Sequence, residues 1–174
     1  MKKRICRLPG KMKGQLRGVH GPRSLKYAIW GFISGTFSIL AILAVTKMTG
    51  YPLLIGSLGA SAVLLFGAND SPLAQPRNLI GGHLISAVMA VVIVALFGTG
   101  PYAMAFGVGA AIFLMYMTNT IHPPGGATAL IGIQGHAGFS FVLIPVLTGA
   151  LILLAVALFT NNAVHHRQYP KHWL

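Results

Sequence analysis

The residues with the most chemistry to offer are His122, Pro123, Pro124, Gly125 and Gly126, a run set inside a stretch with few polar side chains. Proline is favourable in the first helical positions, because the amide it lacks would have no intrahelical partner there. The run therefore reads as the start of a helix. The amides of Gly125, Gly126, Ala127 and Thr128 would point backwards out of it with partial positive charge, which suits an anion. The two glycines would let a ligand approach the backbone closely. An imidazole in front of such a turn can donate a hydrogen bond or carry a proton, and a histidine inside a membrane is costly enough to be a functional candidate. The alternative is a neutral imidazole that closes a buried turn.

A second turn echoes the first. Gly59-Ala60-Ser61-Ala62-Val63-Leu64 aligns with Gly126-Ala127-Thr128-Ala129-Leu130-Ile131 in a glycine, alanine, hydroxyl, alanine, apolar, apolar pattern. Ser57, Gly59, Ala60 and Ser61 thus offer a second set of donors. Arg77, just before an apolar helix, either snorkels to the headgroups or bends toward an anion. Asp70 reads as a turn residue, and His83 and His136 as interfacial. A metal or haem site made from His83, His122 and His136 would lack both an i, i+4 histidine pair and supporting carboxylates. With histidine almost the only acid–base group in the apolar region, no catalytic residue, cofactor or resident metal is expected, and the chain reads as a non-enzyme.

The elements that must position these residues follow from composition. Of the 174 residues, 55% are hydrophobic and 8% charged, against about 25% charged in soluble proteins. Between Asn78 and His166 there is no Lys, Arg, Asp or Glu, so lipid rather than water is the solvent. Crossing a hydrocarbon core takes about 20 helical residues. Four stretches qualify: Tyr27 to Thr46, Leu79 to Phe97, Tyr102 to Met117 and Phe139 to Thr160. Two shorter pieces, Tyr51 to Ala68 and Ile121 to Ile133, carry the two turns.

The expected fold is an all-α membrane protein with four full transmembrane helices and two short Gly/Pro-rich re-entrant or broken helices. Six crossings are the alternative. The echo suggests two structural repeats of a long, a short and a long helix. Broken helices at corresponding positions of two repeats often flank a midplane substrate site. The spacings Gly31-xxx-Gly35, Ser34-xxx-Ser38, Gly82-xxx-Ser86 and Gly107-xxx-Ala111 suit close helix packing or subunit contacts. A homo-oligomer is expected from so small a chain.

Thirteen Lys and Arg face a single acid, and nine of those bases precede Tyr27. A basic segment beside the first apolar helix stays on the cytoplasmic side and can touch anionic lipid headgroups. The chain divides into a basic N-terminal tail, 1–26, a membrane domain, 27–160, and a short basic C-terminal tail, 161–174, with both ends cytoplasmic. Nucleic acid is not an expected partner, because no binding motif accompanies the bases. A signal peptide fits poorly, since the first apolar run is long enough to span and no small-x-small cleavage site follows it. Cys6 stands alone, so no intrachain disulfide can form.

Three separated blocks resemble the HPP family of integral membrane proteins: Asn119-Thr-Ile-His-Pro-Pro-Gly-Gly-Ala-Thr-Ala, the Gly-Ala-Ser-Ala-Val run from Gly59, and Ser71-Pro-Leu-Ala-Gln-Pro-Arg-Asn-Leu-Ile-Gly-Gly-His. The resemblance covers Tyr27 to about Thr160. It implies a small multi-helix membrane protein of a transporter class in which some members are connected with nitrite. The expectation is a transporter or channel-like permease for a small inorganic anion, with nitrite the leading candidate. It would sit in a bacterial plasma (inner) membrane and bind its substrate at the His122 and Ser61 turns. The competing classes are a non-transporting membrane subunit or lipid-interacting module, and a histidine-based metal or haem protein.

Overall fold

The computed structural model describes residues 24–173. Most of the basic N-terminal tail, its lipid contact and Cys6 lie outside the described residues. The chain is helical, with no strand among the described residues. Its six principal helices are α1 (Leu25–Thr49), α2 (Gly56–Gly67), α3 (Pro76–Phe97), α4 (Pro101–Met117), α5 (Pro123–Gln134) and α6 (Phe139–Asn162). Each falls on one of the six apolar stretches.

Proline sets three of the starts: Pro76, Pro101 and Pro123 occupy the first helical position of α3, α4 and α5, where a missing amide costs nothing. Gly50 ends α1 at φ 76°, a left-handed conformation that glycine adopts without strain. In α6 the backbone leaves the helix at Ile144 (φ −134°, ψ 115°) just before Pro145, which cannot continue the hydrogen-bond ladder. Thr148 Oγ1 donates to the Leu143 carbonyl across this break (2.9 Å).

Helices α1, α3 and α6 are long and apolar enough to cross a membrane. Helix α4 has 17 residues, about 26 Å at 1.5 Å per residue. Helices α2 and α5 have 12 each, about 18 Å, and fall short of the roughly 30 Å hydrocarbon core. A non-helical lead-in precedes each: residues 50–55 before α2 and 120–122 before α5.

Neighbouring contacts fix the directions. Helix α1 runs antiparallel to α2, with Gly31 beside the Phe66 carbonyl at one end and Leu53 N donating to Thr46 Oγ1 (3.3 Å) at the other. Helix α4 runs antiparallel to α5, with Thr120 N on the Met115 carbonyl (2.9 Å) and Gly107 against Ile133. Helix α5 lies parallel to α3, as Gly82 meets His122 and Gly132 meets Ala90. Helix α2 lies parallel to α6, as Leu58 meets Gly149 and Asn161 Nδ2 donates to the Leu65 carbonyl (3.0 Å).

These pairings form a two-fold scheme. Exchanging α1, α2, α3 with α4, α5, α6 turns the α1–α2 contact into α4–α5, α1–α6 into α4–α3, and α2–α6 into α5–α3. The α2–α5 and α3–α6 contacts map onto themselves, and all of these pairs pack together. Because successive helices alternate in direction, the two three-helix halves are inverted relative to each other. The contacts thus set two three-helix halves opposite each other.

Small residues let the halves close. A β-carbon on Gly125 would lie 2.8 Å from Ser86 Oγ and 2.9 Å from the Gly82 carbonyl, and one on Gly82 would lie 2.9 Å from the Thr120 carbonyl. The Gly82-xxx-Ser86 stripe therefore serves helix packing between α3 and α5.

The chain after α6 closes one end of the bundle. Arg167 is buried and donates to the Phe66 carbonyl (2.8 Å), Asn161 Oδ1 (3.0 Å) and the Tyr27 carbonyl (3.0 Å), which ties α2, α6 and α1 together. A cation is favourable beside the carbonyls that end a helix. Tyr169 is also buried and donates to the Ala74 carbonyl (2.8 Å); burial raises its hydroxyl pKa above the ordinary value, so it stays a donor. Trp30 Nε1 donates to the Thr160 carbonyl (2.9 Å), so the start of α1 and the end of α6 share one side, as helix parity requires.

Two glycines give opposite expectations. Gly82→Ala should destabilise the protein by about 1–3 kcal/mol through overpacking. Gly35→Ala, where an added β-carbon meets nothing within 4 Å, should be neutral or stabilising by up to about 1 kcal/mol. Thermal unfolding in detergent compares them; equal effects would sink the close-packing account.

Candidate functional site

The starts of the two short helices converge on a polar cluster inside the bundle. Ser57 and Ser61 come from α2, His83 from α3, His122 from the position before α5 and Thr128 from α5; all five side chains are fully buried. Ser61 Oγ lies 2.7 Å from His83 Nε2 and 2.8 Å from His122 Nε2, between the two imidazoles. His83 Nδ1 lies 2.7 Å from Thr128 Oγ1, which lies 2.8 Å from Ser57 Oγ. His122 Nδ1 closes the other end on the Leu73 carbonyl at 2.8 Å. The ring centroids are 5.0 Å apart.

Local sequence explains the convergence. The i, i+4 spacing of Ser57 and Ser61 puts both on one face of α2, and the extended backbone at His122 (φ −137°, ψ 104°) turns its ring toward that face. The Leu73 carbonyl comes from a short 3-10 turn, Pro72–Ala74, started by Ser71, whose Oγ accepts from Leu73 N. Asn78 Nδ2 donates to the Ile121 carbonyl (2.8 Å), satisfying backbone in the non-helical lead-in where lipid could not.

The candidate residues divide. Ser57, Ser61, His122 and Thr128 meet in the cluster, and Pro124 reaches it through its carbonyl, 3.3 Å from Thr128 Oγ1. Gly125 is buried, but its amide donates to the His122 carbonyl (2.8 Å). With no amide hydrogen on Pro123 or Pro124, the first turn of α5 has little left to offer an anion, and side chains are the usable donors. Gly126 and Ala127 are half-buried and Pro123 is exposed, away from the cluster. On α2, Ala60 is exposed and Gly59 lines an open groove of about 470 Å³ against α1, reached by none of the cluster residues. Arg77 is exposed and donates to the Thr118 carbonyl (2.9 Å), outside the cluster.

His83 corrects the sequence reading, which placed it at the interface. Its neighbours Leu79, Gly82, Ser86, Ala87 and Ala90 are buried with it on one face of α3, and the Gly82-xxx-Ser86 stripe was the signal that put it there. His136 is exposed beyond the far end of α5. The three histidines considered for a metal therefore do not meet, and no group of three potential ligands occurs among the described residues.

Long apolar helices, two short helices between them and a buried pair of imidazoles define an integral membrane protein with a polar core. The family described as HPP, transmembrane region, matches residues 20–170, and the chain belongs to it. A transmembrane protein of Dictyostelium discoideum is 53% identical over 128 residues, covering 69% of this chain and 45% of that protein. A second from the same organism is 44% identical over 158 residues, covering 83% of this chain and 50% of its own length. The chain thus spans about half the length of these relatives. No solved structure matches it.

Ser61→Ala removes the group between the two imidazoles. It should lower stability by about 1–3 kcal/mol, the cost of leaving buried polar groups without a partner. Arg77→Ala, at an exposed site, should stay within about 0.5 kcal/mol of the parent. Unfolding curves in the same detergent make the comparison, and a silent Ser61→Ala would contradict the cluster's structural weight.

Proposed function

We propose that the chain is a permease for a small inorganic anion, with nitrite the leading candidate, and that the cluster between α2 and α5 is its substrate site. The observation that carries this reading is the meeting of two short helices with non-helical lead-ins, one from each half, at a buried polar cluster. Transporters built from inverted repeats place their sites at such a point. The hydroxyls of Ser57, Ser61 and Thr128 and an imidazole N–H are donors able to replace an anion's hydration. In the arrangement described they bond to one another, and binding an anion would exchange those bonds for bonds to it. On this reading each short helix completes a pass together with its non-helical lead-in, giving six passes rather than four full helices with two re-entrant pieces. The basic N-terminal segment places both ends on the cytoplasmic side, and a second copy of the chain would help enclose the pathway.

The completeness of the hydrogen bonding favours one other reading, a non-transporting membrane subunit in which the cluster only pins the halves together. Anion uptake into proteoliposomes separates the two. The permease reading expects saturable nitrite flux that falls at least about tenfold in the His122→Ala, Thr128→Val double variant, equivalent to about 1.4 kcal/mol of lost stabilisation of the rate-limiting state. Unchanged flux in the double variant would remove the site from the pathway. Absence of flux for nitrite and other small anions in the folded parent would favour the subunit.

A further inference from the structure

The Leu73 carbonyl can only accept, so His122 Nδ1, 2.8 Å away, carries a hydrogen. In a neutral ring His122 Nε2 is then bare and accepts from the Ser61 hydroxyl. Ser61 has a single hydrogen, so toward His83 Nε2, at 2.7 Å, it must accept. His83 therefore carries its hydrogen on Nε2 and presents a bare Nδ1 to the Thr128 hydroxyl. Thr128 Oγ1 is also placed to donate to Ser57 Oγ (2.8 Å) and to the Pro124 carbonyl (3.3 Å), so turning its single hydrogen to His83 Nδ1 gives up those two. The two rings are held in opposite tautomers.

The cluster also has room for one proton more. Ser61 Oγ lies 3.1 Å from the Ser57 carbonyl, a second acceptor for its hydrogen. When the hydroxyl turns there, His122 Nε2 faces only oxygen lone pairs and is satisfied by a proton of its own. Ser61 then accepts from both rings, and no heavy atom needs to move. His83 has the corresponding alternative, with Thr128 turning to the Pro124 carbonyl, but at 3.3 Å. Ser61 and Thr128, and likewise Ser57 and Pro124, are matched by the internal echo, so each half carries the same hydroxyl-to-carbonyl switch. Two imidazolium rings 5.0 Å apart in a fully buried site would repel strongly.

We infer that the His83–Ser61–His122 cluster is an intramembrane binding site for a single proton, held on His122 in this conformation, with the Ser61 hydroxyl as its switch. The surroundings leave few competing groups. Helix α2 contributes hydroxyls, α3 only His83, α5 Thr128 and α4 Met115 across Ser86. Arg77 at the start of α3 is turned to the Thr118 carbonyl, and Asp70 is paired at the surface with Lys171 (3.1 Å). Among the described residues no carboxylate reaches the rings. Use of this proton to drive anion movement rests on the permease reading; the proton site does not.

Nitrogen-15 NMR of the full chain labelled at histidine, in lipid nanodiscs, tests it. The two buried rings are assigned by His83→Asn and His122→Asn, or by slow deuterium exchange in the parent if a variant does not fold. Near neutral pH the expected spectrum has one buried ring protonated at Nδ1, His122, and one at Nε2, His83. Acidification should convert only the first to imidazolium. Ser61→Ala should weaken proton binding at His122 about tenfold, because hydrogen bonds to a charged ring exceed those to a neutral one, and leave exposed His136 unmoved. Joint titration of both rings, no titration before unfolding, or a neutral His122 protonated at Nε2 would each overturn the proposal. The expected titration together with anion flux indifferent to a proton gradient would uphold the site and dismiss its coupling to transport.

Discussion

The structure depends on one constraint: polar backbone and side chains inside hydrocarbon must find partners within the protein. Two short helices with non-helical lead-ins would violate it if they faced lipid. Each instead lies against the last helix of the opposite half, and the two meet at their hydroxyl-bearing faces. The imidazoles of His83 and His122 then become bridging groups, each using both ring nitrogens. A full set of hydrogen bonds in such a place stabilises the closed arrangement, and any rearrangement that opens it must offer those groups something else to bond.

The same constraint accounts for the ends. Near the end of α2 the Leu65 and Phe66 carbonyls take side-chain donors, Asn161 Nδ2 and Arg167, and Arg167 holds α1 and α6 beside it. This guanidinium belongs to a segment that the sequence reading set apart as a tail. Its burial was not legible, because nothing in His165-His166-Arg167 distinguishes an arginine that folds back onto helix ends from one that reaches to headgroups.

Much of the fold was legible, because hydrophobic stretches bounded by proline and glycine leave little freedom. Pro76, Pro101 and Pro123 each mark the helix start they occupy. The long, short, long order of the helices was legible, although the opposition of the two halves was not, since direction is a property of contacts. At the site, the sequence pointed to Ser57, Ser61, His122 and Thr128, with backbone amides expected to bind beside the hydroxyls of Ser61 and Thr128. Gly125 shows why that differs: its amide is taken by the His122 carbonyl, and its missing side chain makes room for Ser86. His83 was missed because its position near the start of α3 suggested the membrane surface, whereas the 3-10 turn and the C-terminal segment cover that end and place it in the interior.

The opposition of the two halves has a consequence for how the protein sits in its membrane. A core in which three helices going one way are answered by three going the other has no top or bottom of its own. Turned over, the pairings among α1 to α6 would stand much as before. An orientation would then have to be written outside the symmetric part, in charges such as those of the basic N-terminal segment, since positive residues favour the cytoplasmic side where an apolar core states no preference.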